Sequence, residues 1–198
     1  MEPDLDAAAA WVRARMETGL PAHLTYHRTA HTADDVVPAA ERLAGADGVR
    51  GRDRILLLTA AWFHDLGFVV RPEGHEEIGI GMAMAELPAL GYGAGDLSVV
   101  ATLIRATRLP QRPETHLAAL LADADLDVLG REDFPDRNDA LRRELAAQGR
   151  PYDDAGWCDD QIAFVAGHRY HTAAARSLRD EGKAANLAGL RARRPAGR

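Results

Sequence analysis

The stretch Ile55-Leu56-Leu57-Leu58-Thr59-Ala60-Ala61-Trp62-Phe63-His64-Asp65-Leu66-Gly67 decides how this chain is read. From Ile55 to Phe63 it is apolar on nearly every side. A helix over residues 53–66 therefore has no face for water and belongs at the centre of a helical core. It runs straight into His64 and Asp65. An unpaired buried carboxylate is costly, so something must compensate Asp65. A basic side chain, a hydrogen-bonded turn or a metal ion would serve; a helix end that reaches solvent is the plain alternative.

Helical signals continue in both directions. A first helix is expected over 5–18, ending at Gly19-Leu20-Pro21, a glycine followed shortly by proline. A second runs through Val36, Val37, Ala40 and Leu43, with Thr32 and Asp35 as a capping pair. Further helices are expected over 75–87, 96–107, 117–129, 136–147, 159–170 and 173–190. No pair of alternating runs suggests a β-hairpin. The expectation is an all-α, single-domain helical bundle over 1–190. Residues 191–198, with four arginines, are expected as a basic, disordered tail.

The bulk numbers agree with one folded domain. A chain of 198 residues buries about 70% of its unfolded surface, enough for a core without disulfides. The single cysteine, Cys158, excludes an intrachain disulfide and a cysteine-based zinc cluster. There are 24 basic and 30 acidic residues, a formal charge of −6. That speaks against a nucleic-acid partner but not against a small anionic substrate. No run of 18 apolar residues occurs, so no membrane span is expected. The acidic start Met1-Glu2-Pro3-Asp4 is unlike a signal peptide. The expected location is cytoplasmic.

Two other segments place polar groups where a core is expected. Asp123-Ala124-Asp125-Leu126 sits between Leu120-Leu121-Ala122 and Val128-Leu129. Positions two apart lie about 200° apart on a helix, so the two acids cannot share a face. Solvated acids on an amphipathic helix are the plain alternative. Tyr26-His27-Arg28-Thr29-Ala30-His31 has two histidines four apart, neighbours if the segment is helical. Two imidazoles and two carboxylates would make a nitrogen-and-oxygen donor set without sulfur. Such a set suits a divalent metal such as Mn, Fe, Co, Ni, Zn or Mg, without choosing among them.

In order, His31, His64-Asp65 and Asp125 resemble the H…HD…D signature of the HD-domain superfamily of metal-dependent phosphohydrolases. Tyr26-His27 with His31 is similar to a YHxxxH element. Phe63-His64-Asp65-Leu66-Gly67 is similar to an FHD(I/L)G turn. His75-Glu76-Glu77-Ile78-Gly79 resembles an HExxG helix start, and Asp123-Ala124-Asp125-Leu126 with Leu129-Gly130 resembles a DADLxxLG element. Four elements in the right order over residues 23–130 are far more specific than one HD dipeptide.

The resemblance implies an all-helical bundle with a metal held by His31, His64, Asp65 and Asp125. Asp125 is preferred because the family ligand is the second acid of its element, leaving Asp123 behind the site or on the helix surface. The implied activity is hydrolysis of a small phosphoester, a nucleotide in particular, by a metal-activated water. Asp65 would orient that water and His27 would serve as general acid. Arg28, Arg105 and Arg108 are candidate phosphate contacts, with His75 and His168 lining the pocket. His168-Arg169-Tyr170-His171, Lys183 and Asn186 resemble a late pattern of some bacterial members, without a role.

The chain departs from the pattern in two places. Phe68-Val69-Val70 follows Gly67 where many hydrolytic members carry Glu or Lys. Two-metal members add two histidines; His75 would supply one, but Ile104-Arg105-Ala106-Thr107 holds none, and His116 is the only other nearby. One metal is therefore favoured. Two other classes share the scaffold: a diiron oxygenase, which needs the fuller histidine set, and a non-catalytic nucleotide-binding domain. Oligomeric state, substrate and metal identity are not legible.

Overall fold

The computed structural model describes residues 2–195, and among these every regular element is helical. Helix α1 spans Leu5–Gly19, α2 Val37–Ala46, α3 Gly51–Phe63, α4 His75–Glu86 and α5 Ala94–Arg105. Then come α6 His116–Asp125, α7 Phe134–Ala147, α8 Asp154–Gly167 and α9 Ala173–Arg193. A π-helical turn, His31–Val36, leads into α2, and 3-10 turns follow α3 (Leu66–Val69), α4 (Leu87–Leu90) and α6 (Asp127–Gly130). Residues 191–193, expected in the tail, form the last turn of α9, and 196–198 lie outside the described residues.

Helix α3 is the central element. Every residue from Leu56 to Phe63 is buried, because α1, α2, α5 and α6 all pack around it. Its periodicity is lost for that reason: a helix enclosed on all sides needs no polar stripe. A second, smaller apolar cluster gathers Val128, Leu129, Phe134, Val165 and Leu190. Side-chain caps start several helices: Asp4 accepts from Ala7 N–H, Thr115 from Ala118, Asp153 from Gly156 and Thr172 from Ala175.

The helix expected over 117–129 stops at Asp125. Leu126, at φ −100° and ψ 15°, breaks the α pattern, and the chain tightens into the 3-10 turn. Helix α9 crosses that turn in direct backbone contact. A Cβ at Gly182 would lie 2.1 Å from the Gly130 carbonyl oxygen, so only glycine permits the approach. The crossing is pinned by Asn186, which donates to the Leu129 and Arg131 carbonyls (2.9 and 2.8 Å). Buried Asp127 accepts from both Arg42 of α2 and Arg179 of α9.

Candidate metal centre

Four residues expected to hold a cation converge from three places in the chain. His31 opens the π-helical turn, His64 and Asp65 directly follow α3, and Asp125 is the last residue of α6. His31 Nε2 lies 3.7 Å from Asp65 Oδ2 and 3.7 Å from Asp125 Oδ1. His64 Nε2 lies 3.3 Å from the same Asp65 oxygen and 3.5 Å from the same Asp125 oxygen. Donors about 2.1 Å from one tetrahedral cation would be spaced by roughly 3.4 Å. His31, His64 and Asp65 thus offer three donor atoms mutually within 4.8 Å, spacing compatible with a shared ion, and Asp125 adjoins them through the two imidazoles.

The local bonding supports the same fit. His64 Nε2 and Asp65 Oδ2 are buried and have no hydrogen-bond partner. Such groups are rare unless something else satisfies them. His64 Nδ1 donates to the Ala61 carbonyl at 2.7 Å, which turns Nε2 toward the cluster. Behind His31, Asp35 Oδ2 lies 3.7 Å from Nδ1, and Asp35 itself accepts from Arg131 (2.7 Å) and Arg137 (3.1 Å). Asp35 was expected to cap a helix with Thr32; instead it backs an imidazole and gathers two arginines, and Thr32 Oγ1 has no partner.

The electrostatics are those of a cation site. Burial disfavours charge on His64, yet Asp65 and Asp125 overcome it and raise its pKa well above the ordinary value. His31 is raised too, burial again opposing and Asp125 and Asp35 prevailing. Burial alone would raise Asp65 and Asp125, but the imidazoles hold both carboxyls low. Two carboxylates thus favour positive charge at one point, which a proton or a metal ion can supply.

His27 does not share a helix face with His31. It sits in the loop before the π-helical turn, its ring perpendicular to that of His31 at 6.0 Å. Its Nδ1 lies 2.5 Å from Glu144 Oε1, while Glu144 Oε2 accepts from the Tyr26 and His27 N–H groups (2.8 and 3.0 Å). Burial pushes the Glu144 carboxyl up, but the His27 ring and these two donors outweigh it and keep it below the usual range. Phe68 is sandwiched between the rings of His27 and His75, 4.2 Å from each. The residue standing where many members carry Glu or Lys is therefore a spacer between two imidazoles. His75 donates through Nδ1 to the Pro72 carbonyl and points Nε2 at the other oxygen of Asp65, 3.5 Å away.

The two acids of the DAD segment face opposite ways, as their spacing requires. Asp125 joins the cluster. Asp123 is fully buried and accepts from His171 N–H (2.7 Å), Thr172 N–H (2.8 Å) and Thr172 Oγ1 (2.8 Å). It is neither a ligand nor a surface acid: it ties the start of α9 to the helix that carries Asp125.

Asp65, Asp125, His27 and His75 open onto a cavity of about 720 Å³. The other expected contacts lie elsewhere. Arg28 is exposed and does not line it. Arg105 forms a two-pronged pair with Glu77 on the outer faces of α4 and α5. His168 packs on Tyr170 beside Lys183, where burial and the neighbouring cation push it down to about 4. His116 is 3.1 Å from Asp47 at an exposed helix start. Arg108 does reach the rim, paired to Glu76 at 3.6 Å. Two functional candidates had no local signal: Glu144, 117 residues from His27, and Arg137, which lines the cavity while holding Asp35.

A family model described as HD domain matches residues 27–127, more than half of the chain and all four converging residues. No curated protein and no solved structure matches it.

Proposed function

This chain belongs to the HD-domain family, and on that premise we propose that it is a metal-dependent phosphohydrolase acting on a small phosphoester, a nucleotide being the class the family resemblance suggests. The observation that carries the reading is the pair of buried, unpartnered atoms, His64 Nε2 and Asp65 Oδ2, within 3.3 Å of each other. His31, His64, Asp65 and Asp125 would hold one divalent ion: Mn, Fe, Co, Ni, Zn or Mg. Such an ion brings the pKa of a water toward neutrality and offsets charge growing on phosphorus.

The chain's own residues do the rest. Asp65 presents Oδ2 to the imidazole pair and Oδ1 to His75, so its second oxygen orients the attacking water. His27 handles the proton of the leaving oxygen at Nε2, because Glu144 engages Nδ1. When the water oxygen bonds to phosphorus the ester P–O bond breaks, and the departing alkoxide takes its proton from the ring. Phe68 keeps His27 and His75 apart and excludes water between them. The reading treats residues 1–190 as one unit, since helices before and after residue 127 both wall the cavity. The contact of Asp65 Oδ1 with His75 favours a second form of it, with another cation beside His75.

Purified protein should carry about one equivalent of metal, and phosphate release from an ester panel should need it. Asp65→Ala and Asp125→Ala should lose the metal and lower turnover about a thousand-fold, several kcal/mol of barrier. Full turnover in either variant would end the proposal.

A further inference from the structure

The cavity has two unlike walls. One carries the histidines and acids of the centre. The other comes from α7 and α8 with Leu126, and presents Phe134, Leu141, Leu145, Trp157 and Phe164. A phosphoryl group needs no such surface; burying an organic ring does. Within this wall Trp157 is 5% exposed and meets Tyr152 edge-on, ring centroids 5.2 Å apart.

The charges narrow the class further. The lining acids are Asp65, Glu76, Asp125 and Asp160; the lining arginines are Arg108 and Arg137. Neither arginine is free: Arg108 faces Glu76 and Glu77, and Arg137 is bound to Asp35 and Asp133. With both arginines engaged, a chain of phosphates would find no free arginine on this lining. One phosphoryl group on a ring avoids that mismatch.

Resting on the phosphohydrolase reading, we propose that the substrate is a phosphate monoester whose alcohol part is a flat, largely apolar ring. Its ring lies against α7 and α8, and its phosphoryl group faces the metal centre. A nucleotide carrying a chain of phosphates is not its substrate.

The test uses the full chain loaded with metal and reads binding by calorimetry beside turnover. The probes are methylphosphonate, 1-naphthylmethylphosphonate and a non-hydrolysable nucleoside triphosphate analogue. The ring probe should bind at least about ten-fold tighter than methylphosphonate. Leu141→Asn should weaken ring binding about ten-fold while leaving metal content, melting temperature and methylphosphonate binding unchanged; Leu141→Ala serves if the asparagine variant unfolds. Triphosphate binding as tight as ring binding, or ring binding indifferent to both Leu141 variants, overturns the inference. The hydrolase reading fails separately. Tight ring binding without phosphate release from 1-naphthyl phosphate supports the cavity assignment and sinks hydrolysis. Release from nucleoside triphosphates alone supports hydrolysis and sinks the ring.

Discussion

The surroundings of α3 and the pair α7–α8 are built on different principles. Around α3 the core is continuous: eight consecutive buried residues meet four helices, and the candidate metal-binding side chains stand at the ends of these packed elements. Helix α7 buries only Phe134, Asn138, Ala140 and Glu144, and α8 only Trp157 and Val165. The first region holds donor atoms at fixed separations; the second leaves apolar side chains half-covered, open to a ligand. The family match ends at residue 127, before α7 begins. The wall of histidines and acids thus lies in the segment that defines the family, and the apolar wall, Leu126 apart, outside it. On the proposed reading, chemistry and selectivity would be housed in largely separate stretches of sequence.

The largest effect that would sharpen this contrast is on stability. Leu57→Ala, at a fully buried site of α3, should cost about 3 kcal/mol, while Leu141→Ala in the open wall should cost under about 1 kcal/mol. Denaturant titration of both measures the difference; equal losses would break it. The next concerns Glu144 of α7, which reaches across to His27. Glu144→Gln should lower kcat by up to about a hundred-fold while metal content stays at the parent value. Loss of metal would make Glu144 a structural prop of the ion-facing wall.

A smaller effect tests the support of His31. Asp35→Asn should weaken metal affinity about ten-fold, read by competition with a chelator, with ring binding in the other wall unaffected. The smallest is an acid limb. Glu144 ionises more readily in the folded than in the unfolded chain. Its contribution is complete above the unfolded carboxylate value of about 4.3. It is lost as pH falls through the lower folded value, because the unfolded state takes up the proton first. Glu144→Gln should therefore show a shallower fall in stability between about pH 5 and pH 3.

Legibility in the sequence followed the range of the interactions. The central helix was plain because nine neighbouring residues carry one message. His64 and Asp65 stood out because they end an apolar run with groups that need a partner, whereas His31 and the choice of Asp125 over Asp123 rested on the family resemblance. Partners distant in the chain left no such mark. Asp35 reads as a helix cap beside Thr32, since Arg131 and Arg137 lie 96 and 102 residues away. Glu144 reads as one more charge after Arg142-Arg143 on a polar helix. Arg105 reads as a phosphate contact until Glu77, 28 residues earlier, is seen to engage it. Where α6 ends depended on the tertiary crossing of α9, which local pattern does not encode.

That crossing has a consequence for dissection of the molecule. A fragment stopping at residue 127 would contain each proposed donor yet strand the Asp123 carboxylate in an apolar interior, stripped of its two amides and its hydroxyl. The helix end bearing Asp125 would lose its buttress, and the minimal signature, cut free of the last helix, would have no reason to keep its shape.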